Sequence, residues 1–104
     1  PREARQDAAV PTPPQVRHAP GRSRYEITVD GELVGHADYR EDASGRWVFH
    51  HTEVDPTHQG EGLAGTLVGA ALDDVRAQGR RIVATCPYVR RFLTEHPEYA
   101  DLLG

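Results

Sequence analysis

Small residues are concentrated in the segment His58–Gly65, which lies between a strand-like run and an amphipathic stretch. The pattern Gln59-x-x-Gly62-x-Ala64 places them where a loop turns into a helix. Small residues let a backbone approach a ligand closely, and a helix start offers unpaired N–H groups at a positive dipole end. This is the chemistry of pyrophosphate binding. The segment therefore predicts a phosphate-bearing ligand, with a glycine-rich turn that serves packing alone as the alternative.

The same segment excludes two common nucleotide motifs. It lacks the Lys-Ser/Thr pair of a P-loop, and the chain contains no lysine at all. It also fails the pattern G-x-G-x-x-G of dinucleotide-binding folds. The absence of lysine further excludes a Schiff-base mechanism.

The single cysteine, Cys86, is a second candidate for chemistry. It follows a short apolar run and directly precedes Pro87, which is well placed to begin a helix. Ligand sites favour the carboxyl ends of strands, and a helix N-terminus favours a thiolate. The alternative is a small, buried apolar residue.

Two adjacent histidines, His50 and His51, lie on a predicted strand and therefore point to opposite faces. Strict alternation predicts one face shared by Trp47, Phe49, His51 and Glu53, and another shared by Val48, His50, Thr52 and Val54. One histidine can then face a site, or both can be ordinary surface residues. A metal site from His50, His51 and His58 is disfavoured, because the first two diverge and no second cysteine is present.

The surrounding pattern predicts the order β-β-β-α-β-α. Strands are expected at 25–29, 33–39, 46–54 and 81–86, and the turn Asp30-Gly31 closes a hairpin between the first two. Leucine, valine and alanine repeat at helical spacing from Leu63 to Val75, and Gly79 suits the helix end. A second helix begins at Pro87 and ends at His96-Pro97. The predicted fold class is α+β, an α/β sandwich with a mostly antiparallel sheet.

The composition predicts one domain with a tail. The chain has 104 residues, and five of its eight prolines fall within residues 1–22. We interpret residues 1–22 as a disordered Pro-rich tail and residues 23–104 as the domain, a size at which a homodimer is as plausible as a monomer. A formal net charge of −4 gives no reason to expect nucleic acid, and no run is long enough for a membrane span. One cysteine and no signal-peptide pattern favour a reducing, cytoplasmic compartment.

Four motifs in order resemble the small, single-domain branch of the GNAT acetyltransferase superfamily. They are His51-Thr52-Glu53-Val54, Gln59-Gly60-Glu61-Gly62-Leu63-Ala64, Cys86-Pro87-Tyr88 and His96-Pro97-Glu98-Tyr99. The resemblance covers about residues 25–99. Ala64 stands where many relatives have glycine, and the superfamily pattern accepts both.

The resemblance implies a minimal GNAT fold with helices after the third and fourth of these strands, and acetyl-CoA as co-substrate in a V-shaped opening between strands. Backbone groups of Glu53 and Val54 would pair with the pantetheine arm, as an added strand does. The pyrophosphate would lie on backbone N–H groups of the loop and helix start. These are Gln59, Gly60, Glu61, Gly62, Leu63, Ala64, Gly65 and Thr66.

The resemblance also implies an N-acetyltransferase with catalytic roles for three residues. His51 would be a general base or orient the reacting group. Cys86 would be a nucleophile or an acid/base near the CoA sulfur, and Tyr88 would protonate the CoA thiolate. The acceptor is an amine of a protein, peptide or small molecule. The alternatives are an acyl-CoA binding or sensing module without turnover, and a protein-interaction domain on the same fold.

Overall fold

The computed structural model describes residues 13–104. Its five strands form one sheet in the order β1-β2-β3-β4-β5. The strands are β1 (Gln15–Ala19), β2 (Arg24–Val29), β3 (Glu32–Glu41), β4 (Trp47–Val54) and β5 (Ile82–Ala84). The helices are α1 (Leu63–Ala77) and α2 (Pro87–Glu95), followed by a 3-10 turn at Pro97–Leu102. Within residues 13–104, no helix has the length and apolar character needed to cross a membrane.

The sheet confirms the predicted α+β class. Neighbouring strands from β1 to β4 are antiparallel, and β4 and β5 are parallel. The β2–β3 turn has positive φ at Asp30 (50°) and Gly31 (82°), as the Asp-Gly pair predicts. The parallel pair is joined through α1, because parallel neighbours require a crossover connection.

Helix α1 packs its apolar stripe on the sheet and fixes the position of the glycine-rich loop. Its fully buried positions follow the predicted period: Leu63, Leu67, Val68, Ala71, Leu72 and Val75. Gly62 is its N-cap residue, with a left-handed φ of 75° and no capping side chain. Gly79, just past the other end, has a φ of 70°. Helix α2 packs against α1, β4 and β5. Its first turn lies near the start of α1, because the Tyr88 hydroxyl is beside Gly65.

The predicted tail is wrong for its last residues, because Gln15–Ala19 form strand β1 and Pro20–Arg22 a 3-10 turn. The remainder of the predicted tail, residues 1–12, lies outside the described residues. Proline-rich composition concealed β1, since the strand is ordered by a backbone ladder with β2 and has only one strongly apolar side chain, Val16, against the core. A second inward side chain, His18, stacks on Tyr25 with ring centroids 4.4 Å apart. The folded unit therefore begins before residue 23.

We expect His18→Ala to lower the free energy of unfolding by about 1–3 kcal/mol, the sum of a lost hydrogen bond and a lost aromatic contact. His18 Nε2 lies 2.6 Å from the Tyr39 hydroxyl and is largely enclosed by aromatic rings. Urea denaturation measures the change, with exposed Gln15→Ala on the same strand as the control. Equal unfolding midpoints for the two variants would show that the contacts of His18 contribute little to the stability of the fold.

A β-bulge at His50 corrects the predicted faces of β4. The register moves from Asp38 opposite His51 to Tyr39 opposite Phe49, so His50 has no partner on β3. Because Ala37 and Tyr39 share a face of β3, their partners Thr52 and Phe49 share a face of β4. The face that packs on α1 therefore carries Trp47, Phe49, Thr52 and Val54. His51 and Glu53 point to the opposite face, separated from the aromatic residues with which alternation had grouped them.

Candidate active site

An open groove lies between the second half of β4 and the start of α1. Strand β5 pairs with β4 only from Trp47 to Phe49, and then the N–H groups of Thr85 and Cys86 both donate to the Phe49 carbonyl, at 3.0 and 3.1 Å. The predicted strand at 81–86 is shorter than expected because this convergence ends its ladder. Within the described residues, β4 has no strand neighbour on that edge from His50 onward. The two strands thus part in a V.

The groove has a volume of about 350 Å³. Its lining comes from the free part of β4, the following loop, the first turn of α1 and the first turn of α2. The lining residues are Thr52, Val54, His58, Gln59, Gly60, Gly62, Leu63, Ala64, Gly65 and Tyr88. All of them except His58 and Tyr88 lack a titratable side chain.

The glycine-rich loop presents backbone rather than side chains to this groove. Gly60 and Gly62 have φ values of 85° and 75°, which a residue with a Cβ adopts only under strain. Among the described residues, the backbone N–H groups of residues 60–65 make no turn, loop or capping hydrogen bond to a backbone carbonyl. The first N–H groups of a helix have no partner inside it. The loop is therefore suited to an anion, which meets the requirement for a pyrophosphate.

His58 adds a titratable cation at the mouth of the groove. Its Nδ1 lies 3.0 Å from Glu61 Oε1, and this hydrogen bond raises the pKa of His58 above its ordinary value. Because the Glu61 carboxylate offsets the charge of the protonated ring, His58 offers the groove a hydrogen-bond donor at Nε2 rather than net positive charge. Sequence reasoning considered His58 only as a metal ligand. No three His, Cys, Asp or Glu side chains between residues 13 and 104 converge in a way that could hold a metal.

Three of the predicted cofactor residues do not line the groove. The Glu53 side chain points to the other sheet face, although the prediction for this residue concerned its backbone groups, and Glu61 is bound to His58. Thr66 uses both its N–H and its hydroxyl on the Gly62 carbonyl, at 3.2 and 3.3 Å, so its backbone donor is already occupied. The side chain of Gln59 donates to the Val54 carbonyl at 3.1 Å. A ligand that pairs with the β4 edge there would have to share or displace that contact.

Tyr88 brings a phenol to the groove from the first turn of α2. Its hydroxyl packs against Gly65, where an added Cβ would lie 3.5 Å away. Burial, reinforced by the negative charge of Glu95, raises the pKa of Tyr88 above its ordinary value. The phenol consequently keeps its proton across the neutral range and can act as an acid but not as a base.

Cys86 lies beneath the groove rather than on its surface. The residue is buried, and its Sγ lies 3.6 Å from the Thr52 hydroxyl. Thr52 lines the groove, although sequence reasoning had assigned it no role. Its spacing of two from Val54 was the available signal, because alternate residues share a face.

His51 is not brought together with Cys86 and Tyr88 on one face. It is half exposed on the sheet face opposite α1, where its Nε2 lies 3.1 Å from Glu53 Oε1. The free edge of β4 separates it from the groove. A base at this position can accept a proton only from a reactant that approaches from the sheet face opposite α1.

Comparison with known proteins identifies a family and relatives that this chain resembles. Residues 24–102 match the family described as GCN5-related N-acetyl-transferase. The chain is 31% identical over 86 residues to Protein NATD1 of Gallus gallus, covering 82% of this chain and 78% of the relative. It is 41% identical over 49 residues to Protein NATD1 of Bos taurus, covering 47% of this chain and 43% of that protein, so the match spans less than half of the bovine relative.

Solved structures show the same fold. A GCN5-like protein from Staphylococcus aureus superposes with a TM-score of 0.66 at 19% identity, covering 86% of this chain and 87% of that one. A protein assigned to the GNAT family from Desulfovibrio desulfuricans superposes with a TM-score of 0.55 at 26% identity, covering 69% and 51%. Together with the family match over most of its length, these likenesses place the chain in the GCN5-related N-acetyltransferase (GNAT) family.

Proposed function

We propose that this protein transfers the acetyl group of acetyl-CoA to an amine. The observation that carries the proposal is the groove between the free edge of β4 and the N-terminus of α1, with the Tyr88 phenol on its wall. One end of that groove is rich in unpaired backbone donors, and the other contains groups that can move a proton. This polarity suits a ligand with a pyrophosphate at one end and a thioester at the other.

The proposed position of acetyl-CoA follows from the unpaired backbone N–H groups at one end of the groove. The pyrophosphate rests on the loop from Gly60 to Gly65, with the His58 ring beside it on the groove lining. The pantetheine arm runs along β4 beside Val54, in the place a further strand would occupy. The thioester then lies near Thr52, Tyr88 and the buried Cys86.

The proposed chemistry is an acyl transfer between a sulfur and a nitrogen. In the direct route, the amine nitrogen attacks the thioester carbon, the carbon–sulfur bond breaks, and the CoA thiolate takes a proton from Tyr88. The amine loses a proton to His51, which requires that it approach round the edge of β4 from the open sheet face. In the two-step route, Cys86 loses its proton and its thiolate attacks the thioester carbon; the bond from that carbon to the CoA sulfur breaks, and the CoA thiolate takes a proton from Tyr88. The amine then attacks the acetyl-cysteine and loses a proton, the bond from the acetyl carbon to the Cys86 sulfur breaks, and the Cys86 thiolate is restored.

The proposal is tested by mixing the protein with acetyl-CoA and a panel of a polyamine, a lysine-containing peptide and a free N-terminal peptide, and measuring release of CoA thiol. Release that depends on one of these amines supports transfer. Tight acetyl-CoA binding with no amine-dependent release would instead indicate a binding module.

We expect Cys86→Ala to lower the transfer rate at least tenfold, because the two-step route needs the thiol as its nucleophile and only the direct route would remain. Intact-mass measurement after acid quench separates the routes, since only the two-step route leaves an acetyl adduct on Cys86. Cys86→Ser is the matched variant that keeps a polar atom at the same position. An undiminished rate in Cys86→Ala would reduce Cys86 to a packing residue.

A further inference from the structure

Four side chains form an alternating array on the sheet face opposite α1. His36 and Asp38 come from β3, and His51 and Glu53 from β4; we call them the histidine–carboxylate quartet. The strand register places His36 directly opposite Glu53, and Asp38 directly opposite His51. Each histidine therefore has a carboxylate beside it along its own strand and another across the ladder.

The distances within the quartet connect all four groups. His36 Nδ1 lies 2.9 Å from Asp38 Oδ1, and His51 Nε2 lies 3.1 Å from Glu53 Oε1. His36 Nε2 lies 3.7 Å from the same Glu53 oxygen, and the two imidazole rings are 5.9 Å apart. Glu53 thus stands between the two histidines.

The hydrogen bonds determine which nitrogens carry protons. An ionised carboxylate only accepts, so the proton between His51 and Glu53 must belong to Nε2. The hydrogen bond from His51, with the charge of His36, lowers the pKa of Glu53 and keeps it ionised. In neutral His51, Nδ1 is then the nitrogen with a lone pair for an incoming proton.

Most neighbouring charges on this face are engaged with one another; Arg40, two residues beyond Asp38 on β3, is an exposed cation on the same face. Glu26, which lies opposite His36 on β2, is buried and receives Arg17, Arg22 and Arg24 at 3.3, 3.2 and 2.9 Å. Those three guanidinium groups are directed to Glu26, and the ion-pair partner of His51 is Glu53 of its own quartet. The quartet is therefore the local setting in which His51 gains and loses a proton.

We propose that His36 and Asp38 are positioning residues that act through Glu53 to fix the tautomer of His51 and to tune its proton uptake. The proposal deepens the proposed acetyl transfer, on which its catalytic consequence rests. Asp38 holds His36, the charge of His36 holds Glu53, and Glu53 holds His51 with Nδ1 available to an amine. If the two histidines did not interact, the protonation of His51 would not depend on His36.

The test is an NMR titration of the imidazole nitrogens in the full chain, which needs no knowledge of the acceptor. In the unmodified protein we expect neutral His51 to carry its proton on Nε2. The titration midpoint of His51 should fall in Glu53→Gln, which removes a negative charge, and rise in His36→Gln, which removes a neighbouring ring that becomes a second cation when it is protonated. His50→Gln is the matched control, since His50 is exposed, adjacent in sequence and outside the quartet.

Opposite shifts of the His51 midpoint in the two variants, with no shift in the control, support the proposed series of contacts from Asp38 to His51. Equal midpoints in all variants, or a proton on Nδ1 of neutral His51, would overturn it. Where transfer is detected, His36→Gln should also lower kcat roughly tenfold, a fraction of what a general base supplies, with the KM for acetyl-CoA unchanged. Failure of transfer in the unmodified protein would count against the proposed function and leave the NMR result to decide the quartet.

Discussion

Replacing Tyr88 with phenylalanine should lower kcat for acetyl transfer by about 100-fold, the lower end of what a positioned general acid supplies. The CoA thiolate needs a proton as it leaves, and Tyr88 brings an O–H to the groove wall. Because burial raises its pKa above the ordinary value of 10.0, the phenol is protonated at neutral pH and the rate should fall only in strongly alkaline solution. Phenylalanine keeps the ring and removes only the proton donor.

The dissociation constant of acetyl-CoA should be unchanged in Tyr88→Phe, because the loop that holds the pyrophosphate is untouched. Tyr39→Phe is the matched control, since the Tyr39 hydroxyl is bonded to His18 and lies outside the groove lining. Steady-state release of CoA thiol gives kcat, and calorimetry gives the affinity. A Tyr88→Phe enzyme as fast as the Tyr39→Phe control would assign the proton to another donor.

Substituting alanine at Gly62 should weaken acetyl-CoA binding about 5- to 30-fold. Gly62 has a φ of 75° as the N-cap residue of α1, and an L-residue there costs about 1–2 kcal/mol. The loop can relieve that strain only by rotating its backbone, which turns the N–H groups away from the anion. The affinity, measured by calorimetry, therefore falls by the factor of about 5–30 that this energy represents, and further if the methyl group obstructs the ligand.

Gly79→Ala separates this loss of affinity from general destabilisation. Gly79 has a φ of 70°, and an added Cβ at either glycine meets nothing within 4 Å. Both variants should therefore lose similar stability, while only Gly62→Ala loses affinity for acetyl-CoA. If the two variants bound acetyl-CoA equally well, the loop would be a packing feature rather than an anion cradle.

Most elements of this fold could be predicted from the sequence because their signals are local. The Asp30-Gly31 turn, the apolar repeat of α1 and the proline at the start of α2 each determine a structure within a few residues. The glycine-rich loop was found in the same way, since positive φ at Gly60 and Gly62 is a property of the residue type. These features position most of the groove.

The two largest errors concern structure that depends on distant residues. Strand β1 is ordered by its ladder with β2 and by the packing of His18 on Tyr25, neither of which its proline-rich surroundings indicate. The bulge at His50 arises from the register between β3 and β4, and a single strand does not reveal it. That one residue decides that Thr52, rather than His51, faces the groove.

The central claim is that the groove beside α1 binds acetyl-CoA, and calorimetric titration of the full chain tests it most directly. The titrants are acetyl-CoA, CoA and, as a pyrophosphate-bearing control, a nicotinamide dinucleotide. We predict saturable binding of the first two at one site per chain, no saturable binding of the third, and thermal stabilisation of about 2.7 kcal/mol at a ligand concentration 100 times the dissociation constant. Absence of heat and of stabilisation with acetyl-CoA, or equal binding of the dinucleotide, would contradict the assignment of this groove.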